Sequence, residues 1–216
     1  MSDNKESKKL VIITGPQGSG NHLFSKIFNL HPDVKGWDFG DNYWVPSDQE
    51  PFAKCWINPK HTKSMLTDQY MVANVSFPFM YNGKFTYPNI QDVIYEAQDA
   101  GYEVEVCIVV RDRNINALQQ KRVRKMVTLP QAMQYYRTLD ANISFLDVEA
   151  LFLHKSMYLR FVSRFLDFPI DIFNPKVYDI TEVDTNNKYV SYVEEYWLDS
   201  DVWSGIRSFE ERGIDE

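Results

Sequence analysis

Short continuous apolar runs alternate along this chain with longer segments in which apolar residues recur every three or four positions. A continuous run is typical of a strand buried on both faces of a parallel sheet, and the second spacing is typical of a helix face. The pattern predicts strands at 10–14, 71–76, 103–110 and 143–146, and helices at 20–30, 90–100, 114–127, 131–139 and 155–166. This alternation predicts an α/β fold of three layers, α/β/α, with a central parallel sheet covered on both faces.

The domain organisation is inferred from the length of the chain and from the segments in which the alternation of strand and helix patterns is lost. The 216 residues suffice for one domain, which we expect to span 10–216 after a disordered polar tail at 1–9. Residues 36–70 are irregular and rich in Trp, Asp, Asn and Pro, which is typical either of a substrate loop or of a structural excursion that packs its tryptophans on the core. Between 178 and 216, helical spacing predicts core or interface positions at Tyr192, Tyr196 and Trp197.

Composition and charge indicate which kinds of binding partner the chain is suited to. The chain is 44% hydrophobic and 25% charged, as globular domains are, and its net charge of −7 argues against a nucleic-acid partner. Six of the 23 basic residues nevertheless fall between Arg111 and Lys125, which suits a small anionic ligand, although we interpret 121–125 as a solvated helix face. No apolar run approaches the roughly 20 residues of a membrane span, and the N-terminus is polar. Two cysteines form neither a disulfide scaffold nor a metal site, so we expect a cytoplasmic protein without metal or membrane partner.

A glycine-rich loop joins the first predicted strand to the first predicted helix. Glycines let the backbone wrap closely round an oxyanion, and the start of a helix adds a favourable dipole. The spacing from Gly15 to Gly20 is that of a P-loop, so the fold is predicted to be of the P-loop nucleotide-binding type. A glycine turn without a ligand is the alternative. The candidate binding residues are Gly15, Gln17, Gly18, Ser19, Gly20, Asn21 and His22.

Two positions after the loop depart from the pattern of nucleoside-triphosphate hydrolases. Asn21 and His22 stand where those enzymes have the Lys that contacts terminal phosphates and the Ser or Thr that holds magnesium. His22 has three interpretations that the sequence leaves open: a capping or core histidine, a phosphate contact, or a catalytic acid or base.

Several short motifs resemble those of the sulfotransferases, especially the heparan-sulfate and carbohydrate branch. Residues 13–23 (ITGPQGSGNHL) are similar to the loop that binds the 5′-phosphosulfate, and Leu30–Val34 (LHPDV) matches the motif that follows the loop's helix in that branch. Val109–Arg113 (VVRDR) is similar to the strand-end motif that binds the 3′-phosphate. Phe145–Leu151 and Phe165–Pro169 resemble two further motifs, so the resemblance covers roughly residues 10–170, with only the first motif specific.

This resemblance implies a donor substrate and a reaction. The donor is 3′-phosphoadenosine 5′-phosphosulfate, and the sulfuryl group passes to a hydroxyl or amine of a small-molecule or glycan acceptor. It further implies that Arg111 binds the 3′-phosphate, for which a salt bridge at the strand end is the alternative. Gln119 falls where the family has a phosphate-binding Ser, and a glutamine there can still donate a hydrogen bond.

Three departures from the family bear on catalysis. The loop Lys that assists the leaving phosphate is Gly18 here. In cytosolic sulfotransferases the second strand ends in a Lys-Thr-His-x-Pro motif that carries the base, and Asn74 and Ser76 replace its Lys and His. His22 is the catalytic candidate, and Lys54, His61 and Arg113 are further candidates for the missing groups. Two alternatives to a sulfotransferase-like enzyme stay open, namely a P-loop kinase of a nucleoside or metabolite and a catalytically inactive nucleotide-binding module. Aromatic residues that suit either acceptor stacking or core packing are Trp37, Trp44, Trp56 and Tyr81.

Overall fold

A parallel sheet of five strands forms the centre of the molecule. The computed structural model describes residues 7–37 and 45–184. The sheet has the strand order β2-β3-β1-β6-β7, and every neighbouring pair is parallel. Its strands are β1 (Lys8–Pro16), β2 (Val34–Lys35), β3 (Tyr70–Phe77), β6 (Tyr102–Val110) and β7 (Asn142–Asp147). A short antiparallel pair, β4 (Phe79–Tyr81) and β5 (Lys84–Thr86), follows β3.

Helices cover both faces of this sheet. They are α1 (Asn21–Phe28), α2 (Ala53–Ile57), α3 (Thr62–Met65), α4 (Ile90–Asp99), α5 (Arg113–Arg124), α6 (Leu129–Tyr136), α7 (Val148–Leu166) and α8 (Pro175–Glu182), with 3₁₀ turns at Ser47–Gln49 and Pro59–His61. Leu10 and Ile12 of β1 belong to the core shared with α4 and α6. Val11 and Ile13, which point the other way, belong to the core shared with α1, α7 and α8. This arrangement confirms the predicted three-layer α/β/α fold.

The N-terminal boundary differs from the prediction. Lys8 and Lys9 belong to β1 and not to a disordered tail, whereas residues 1–6 lie outside the described chain. Lys9 is only 4% exposed, and its ammonium donates to the carbonyl of Leu166 at 2.8 Å and pairs with Glu103 at 3.3 Å. The apolar pattern does not show where this strand begins, because its first two residues are charged. In the sequence, a lysine that is buried and paired cannot be told from a lysine of a polar tail.

Two helix boundaries also differ. α7 begins at Val148, whereas the sequence predicted a start at residue 155, and Lys155 interrupts its helical geometry at φ 44° and ψ −119°. The prediction therefore found only the part after the interruption. α6 begins at Leu129, and Pro130 lies in its first turn, where the missing N–H of a proline costs no helical hydrogen bond.

The irregular segment 36–70 packs two of its tryptophans on the core. Trp37 and Trp56 are 4% and 1% exposed, and the Trp56 indole donates to the carbonyl of Asn74 at 3.2 Å. Residues 38–44, which include Trp44, lie outside the described chain, as do the predicted core positions Tyr192, Tyr196 and Trp197. Within residues 7–37 and 45–184, a helix with both the length and the apolar character to cross a bilayer is not found.

Candidate nucleotide site at the glycine loop

The loop between β1 and α1 adopts a backbone that only glycine accommodates easily. Gly18 has φ +82° and Gly20 has φ +108°, and the N–H of Ser19 donates to the carbonyl of Pro16 at 3.0 Å to close the turn. Among the described residues, no hydrogen bond engages the backbone N–H groups of Gly18, Gly20, Asn21 or His22. These donors at the start of α1 are therefore available to an anion.

Neighbouring side chains leave no room for a larger residue at two positions of the loop. A Cβ at Gly18 would lie 2.3 Å from Oε1 of Gln119, and a Cβ at Gly15 would lie 2.3 Å from Oγ of Ser19. Gln119, predicted from the family resemblance, thus lies against the loop. Its Oε1 and the Oε1 of Gln17 are buried without a hydrogen-bond partner in the described chain. The structure therefore brings Gly15, Gln17, Gly18, Ser19 and Gln119 together.

Two buried amides of α5 fix the loop from one side. The carbonyl of Gln17 accepts from Nδ2 of Asn116 at 3.2 Å and from Nε2 of Gln120 at 2.8 Å. Oε1 of Gln120 accepts in turn from the N–H of Thr128 at 2.8 Å, just before α6. The sequence analysis did not predict this clamp, formed by Asn116 and Gln120. The available signal was that these two amides are four residues apart and so lie on the same face of the helix after β6.

Asn21 fixes the loop from the other side, next to β3. Its Oδ1 accepts from Ser19 Oγ at 2.7 Å, and its Nδ2 donates to Ser76 Oγ at 3.2 Å. The side chains of Ser19 and Asn21 are thus engaged in holding the loop, and of their two backbone N–H groups that of Asn21 remains for a ligand. Ser76, which stands where cytosolic sulfotransferases carry their base, has this structural contact.

His22 belongs to a polar chain on the same side of the loop. Its Nε2 lies 3.1 Å from Glu50 Oε1, and its ring centroid lies 5.0 Å from that of Trp37. Glu50 Oε2 accepts from Asn74 Nδ2 at 3.0 Å, and Asn74 Oδ1 accepts from Ser25 Oγ at 3.2 Å. Burial raises the pKa of Glu50, while the hydrogen bonds from His22 and Asn74 oppose that rise. Glu50 gave no signal in the sequence, because it lies in the irregular segment 28 residues from its partner.

A cavity of about 670 Å³ lies on the opposite side of the loop, at the carboxyl ends of β1 and β6. Its volume is that of a small-molecule site, and its position beyond the strand ends is where open α/β sheets bind ligands. Loop, strand and helix residues line it together: Pro16, Ser19, Val109, Val110, Arg111, Arg113, Asn116, Leu129, Pro130, Met133, Gln134 and Arg137. Three arginines and an apolar group thus share one cavity, which suits a ligand with both anionic and aromatic parts.

Arg111 contributes to this cavity while held by two carboxylates. Its side chain is 3% exposed, its Nε lies 3.5 Å from Glu149 Oε1, and its Nη2 donates to Asp184. Burial raises the pKa of Glu149, and its contacts with the Asp112 N–H and the Arg111 guanidinium oppose that rise. The structure therefore shows the strand-end salt bridge that the sequence left open as an alternative, at a residue that also lines the cavity.

Other candidates lie elsewhere. Lys54 and His61 are exposed and are not among the residues that line the cavity; the nearest polar contact of the His61 ring is Nδ2 of Asn58, 3.4 Å away. Tyr81 packs on Phe79 with ring centroids 6.0 Å apart. Arg113 does line the cavity and remains a candidate anion contact.

Comparisons with known proteins give matches among solved structures. No protein-family model matches the chain. No curated protein matches it either. Among solved structures, it is similar to mouse sulfotransferase SULT7A1 complexed with PAP, with a TM-score of 0.42 and 10% sequence identity over 98% of this chain and 91% of that chain. At this level of likeness, function has to be inferred from the residues of the site.

Proposed function

We propose that this chain binds a 3′-phosphorylated adenosine nucleotide at the glycine loop and is a sulfotransferase-like transferase. The donor is 3′-phosphoadenosine 5′-phosphosulfate, and the acceptor carries a hydroxyl or an amine. The observation that carries the proposal is the cavity in which the glycine loop meets a strand-end arginine and an apolar helix surface. The family resemblance of residues 13–23 and of Val109–Arg113 supports the choice of this nucleotide over others.

Each part of the donor has a matching group in the site. The N–H groups of Gly18, Gly20, Asn21 and His22, which have no hydrogen-bond partner among the described residues, suit the 5′-phosphosulfate. Arg111 and Arg113 suit the 3′-phosphate, because guanidinium groups bind phosphate through paired, charge-assisted hydrogen bonds. Leu129, Pro130 and Met133 offer an apolar surface to the adenine ring. Gln119 supplies an amide beside Gly18.

Sulfuryl transfer places few chemical demands on the protein. The acceptor oxygen or nitrogen bonds to sulfur, the bond from sulfur to the phosphate oxygen breaks, and the acceptor proton leaves to a base. As in phosphoryl transfer, positioning and electrostatic stabilisation of the leaving phosphate supply most of the rate. The loop N–H groups perform that stabilisation here, since Gly18 stands in place of the family's lysine.

His22 is our candidate for the acid–base group. It lies on the β3 side of the loop, opposite the cavity, so donor and acceptor would approach the loop from different sides. Glu50 fixes the orientation of the imidazole, in the way that a carboxylate orients a catalytic histidine.

One observation favours a second candidate function. Gly18 stands in place of the lysine that the family uses on the leaving phosphate, and a module of this kind would bind the nucleotide without transferring sulfate. Conversion of the donor to 3′-phosphoadenosine 5′-phosphate in the presence of hydroxyl and amine acceptors separates the two functions. Turnover that falls about a hundredfold in His22→Gln supports the enzyme, since an acid–base group contributes on that scale. Binding without turnover supports the inactive module.

Calorimetric titration tests the ligand class itself. We expect 3′-phosphoadenosine 5′-phosphate to bind without metal, and ADP with magnesium to bind far more weakly. If ADP bound more tightly than 3′-phosphoadenosine 5′-phosphate and needed magnesium to do so, the result would support a P-loop kinase and contradict the proposal. No heat with either nucleotide would contradict every nucleotide interpretation of the loop.

A further inference from the structure

An apolar stripe runs along the outer face of α7. We name Met157, Phe161 and Phe165, which follow the interruption at Lys155, the α7 stripe; they recur every four residues and are 64%, 61% and 64% exposed. The Phe161 and Phe165 rings stack with centroids 5.8 Å apart. Single exposed apolar residues are ordinary, but a contiguous set on one helix face marks a surface that another element covers.

Two cations border this stripe. Arg160 and Arg164 line, with Met157, Phe161 and Phe165, a shallow groove of about 440 Å³. Neither arginine forms an ion pair within the part of the chain that the structure describes. An element that covers the groove should therefore combine an apolar face with acidic side chains.

The sequence of the C-terminal segment 185–216 has this combination. It contains eight acidic and three basic residues, and thus most of the net negative charge of the chain. Its apolar residues recur at the spacing of a helix face, with acidic residues on either side of that face. The apolar set is Tyr189, Tyr192, Val193, Tyr196 and Trp197, and the acidic set is Glu194, Glu195, Asp199 and Asp201.

The described chain also ends where this segment can reach the groove. α8 lies across α7, with the Lys155 ammonium 5.2 Å from the ring centroid of Tyr178, and Asp184 bonds Arg111. The part of α7 after the interruption at Lys155, residues 156–166, extends about 17 Å. Because an extended chain spans roughly 3.3 Å per residue, ten residues beyond Asp184 span about 33 Å, nearly twice that length.

We propose that the segment 185–216 of this same chain docks on the α7 stripe, with its aromatic face on Phe161 and Phe165 and its carboxylates beside Arg160 and Arg164. A tethered segment has an effective concentration on the order of millimolar, which favours it over a second copy of the chain in dilute solution. The proposal is independent of the nucleotide site, so failure of either leaves the other in place.

Hydrogen exchange of the full-length chain tests this docking. In the double variant Phe161→Ser/Phe165→Ser, we expect amides in 189–203 to exchange at least about tenfold faster than in the wild type, because the aromatic contacts that protect them are lost. The matched control is Tyr95→Ser, which removes a half-exposed aromatic side chain from α4 on the other face of the sheet and should leave these amides unchanged. Unchanged exchange in β1 and β6 verifies that each variant is folded.

A second variant isolates the charge contribution. Arg160→Glu/Arg164→Glu should accelerate exchange in the same segment, and the effect should shrink at high salt because exposed ion pairs are screened. Two results would overturn the proposal. One is a segment 185–216 that is unprotected in the wild type or unaffected by the Phe variants. The other is a wild-type dimer that the Phe variants convert to a monomer, which would identify a second copy as the occupant.

Discussion

At the scale of single residues, Arg111 is the side chain whose partners say most about the site. Two carboxylates hold it, Glu149 at 3.5 Å and Asp184 through a hydrogen bond, and it lines the cavity beside the glycine loop. A guanidinium held in this way keeps its orientation, and a bound phosphate would take the place of one carboxylate contact. On the proposed function, nucleotide binding would therefore compete with an ion pair.

Replacing this arginine should cost affinity only for ligands that carry a 3′-phosphate. A hydrogen bond to a charged group contributes about 1.5–3 kcal/mol, so Arg111→Ala should weaken binding of 3′-phosphoadenosine 5′-phosphate by roughly 10- to 150-fold. Adenosine 5′-monophosphate, which differs from that nucleotide only in lacking the 3′-phosphate, is the matched control ligand and should bind wild type and variant alike. Equal affinity of both proteins for the 3′-phosphorylated nucleotide, measured by calorimetry, would remove Arg111 from the site.

Glu50 should leave a signature in the dependence of stability on pH. Its pKa is raised above the ordinary 4.5 by burial, so the folded chain holds this proton more tightly than the unfolded chain does. Its contribution to the free energy of unfolding is therefore fully present below about pH 4.5 and falls as pH rises through the folded pKa. We expect Glu50→Gln to remove the part of the decrease in unfolding free energy with rising pH that comes from Glu50.

Urea unfolding from about pH 4 to about pH 7 measures this difference. Asp48→Asn, which removes an exposed carboxyl from the neighbouring 3₁₀ turn, controls for the change in net charge. Parallel stability curves for Glu50→Gln and the wild type would show that burial of Glu50 does not perturb its titration.

At the scale of elements, α5 positions the loop as much as β1 and α1 do. Gln120 joins the Gln17 carbonyl to the N–H of Thr128, and thereby ties the loop to the start of α6 on the far wall of the cavity. Asp112 caps α5 by accepting from the N–H groups of Asn114 and Ile115 at 2.8 and 2.9 Å. The strand-end motif therefore serves the architecture through its aspartate and the cavity through its arginines.

Removing the amide of Gln120 should loosen loop and helix together. Gln120→Ala deletes buried hydrogen bonds, removes the partner of the Thr128 N–H and leaves the Gln17 carbonyl with Asn116 alone. We therefore expect a loss of about 1–3 kcal/mol in the free energy of unfolding. Nucleotide affinity should fall with it. Gln98→Ala, at an exposed position of α4, is the control and should change neither quantity. A stable Gln120→Ala protein with wild-type affinity would contradict the role of the clamp.

Elements differ in how far the sequence predicts them, and the reasons are physical. β1 is predictable because both of its faces are fully buried and mostly apolar. This gives the continuous apolar run in residues 10–14, which is visible in the sequence alone. β2 has two residues and β4 and β5 three each, too few for any periodicity to register. The Lys155 interruption of α7 depends on backbone geometry that no side-chain pattern records.

At the scale of the whole molecule, the glycine loop lies between two sets of polar groups. The cavity and its arginines lie on the β6 side of the loop, and His22 with Glu50 lies on the β3 side. The sequence predicts the loop and Arg111, because a local motif encodes each. It does not predict the partners Glu50 and Asp184, which tertiary folding brings from 28 and 73 residues away. The sequence therefore predicts residues that belong to a local motif, but it does not predict the distant residues that pair with them and fix their orientation.

The central claim is that the backbone of the glycine loop holds a phosphate, and a pair of glycine variants tests it most directly. Gly18 and Gly101 share φ +82°, so alanine is strained at both, but only at Gly18 would its Cβ meet Gln119, at 2.3 Å. We expect Gly18→Ala to weaken calorimetric binding of 3′-phosphoadenosine 5′-phosphate by at least about tenfold, as loss of aligned backbone donors should. Gly101→Ala should bind like the wild type. Wild-type affinity in a folded Gly18→Ala protein would contradict the claim.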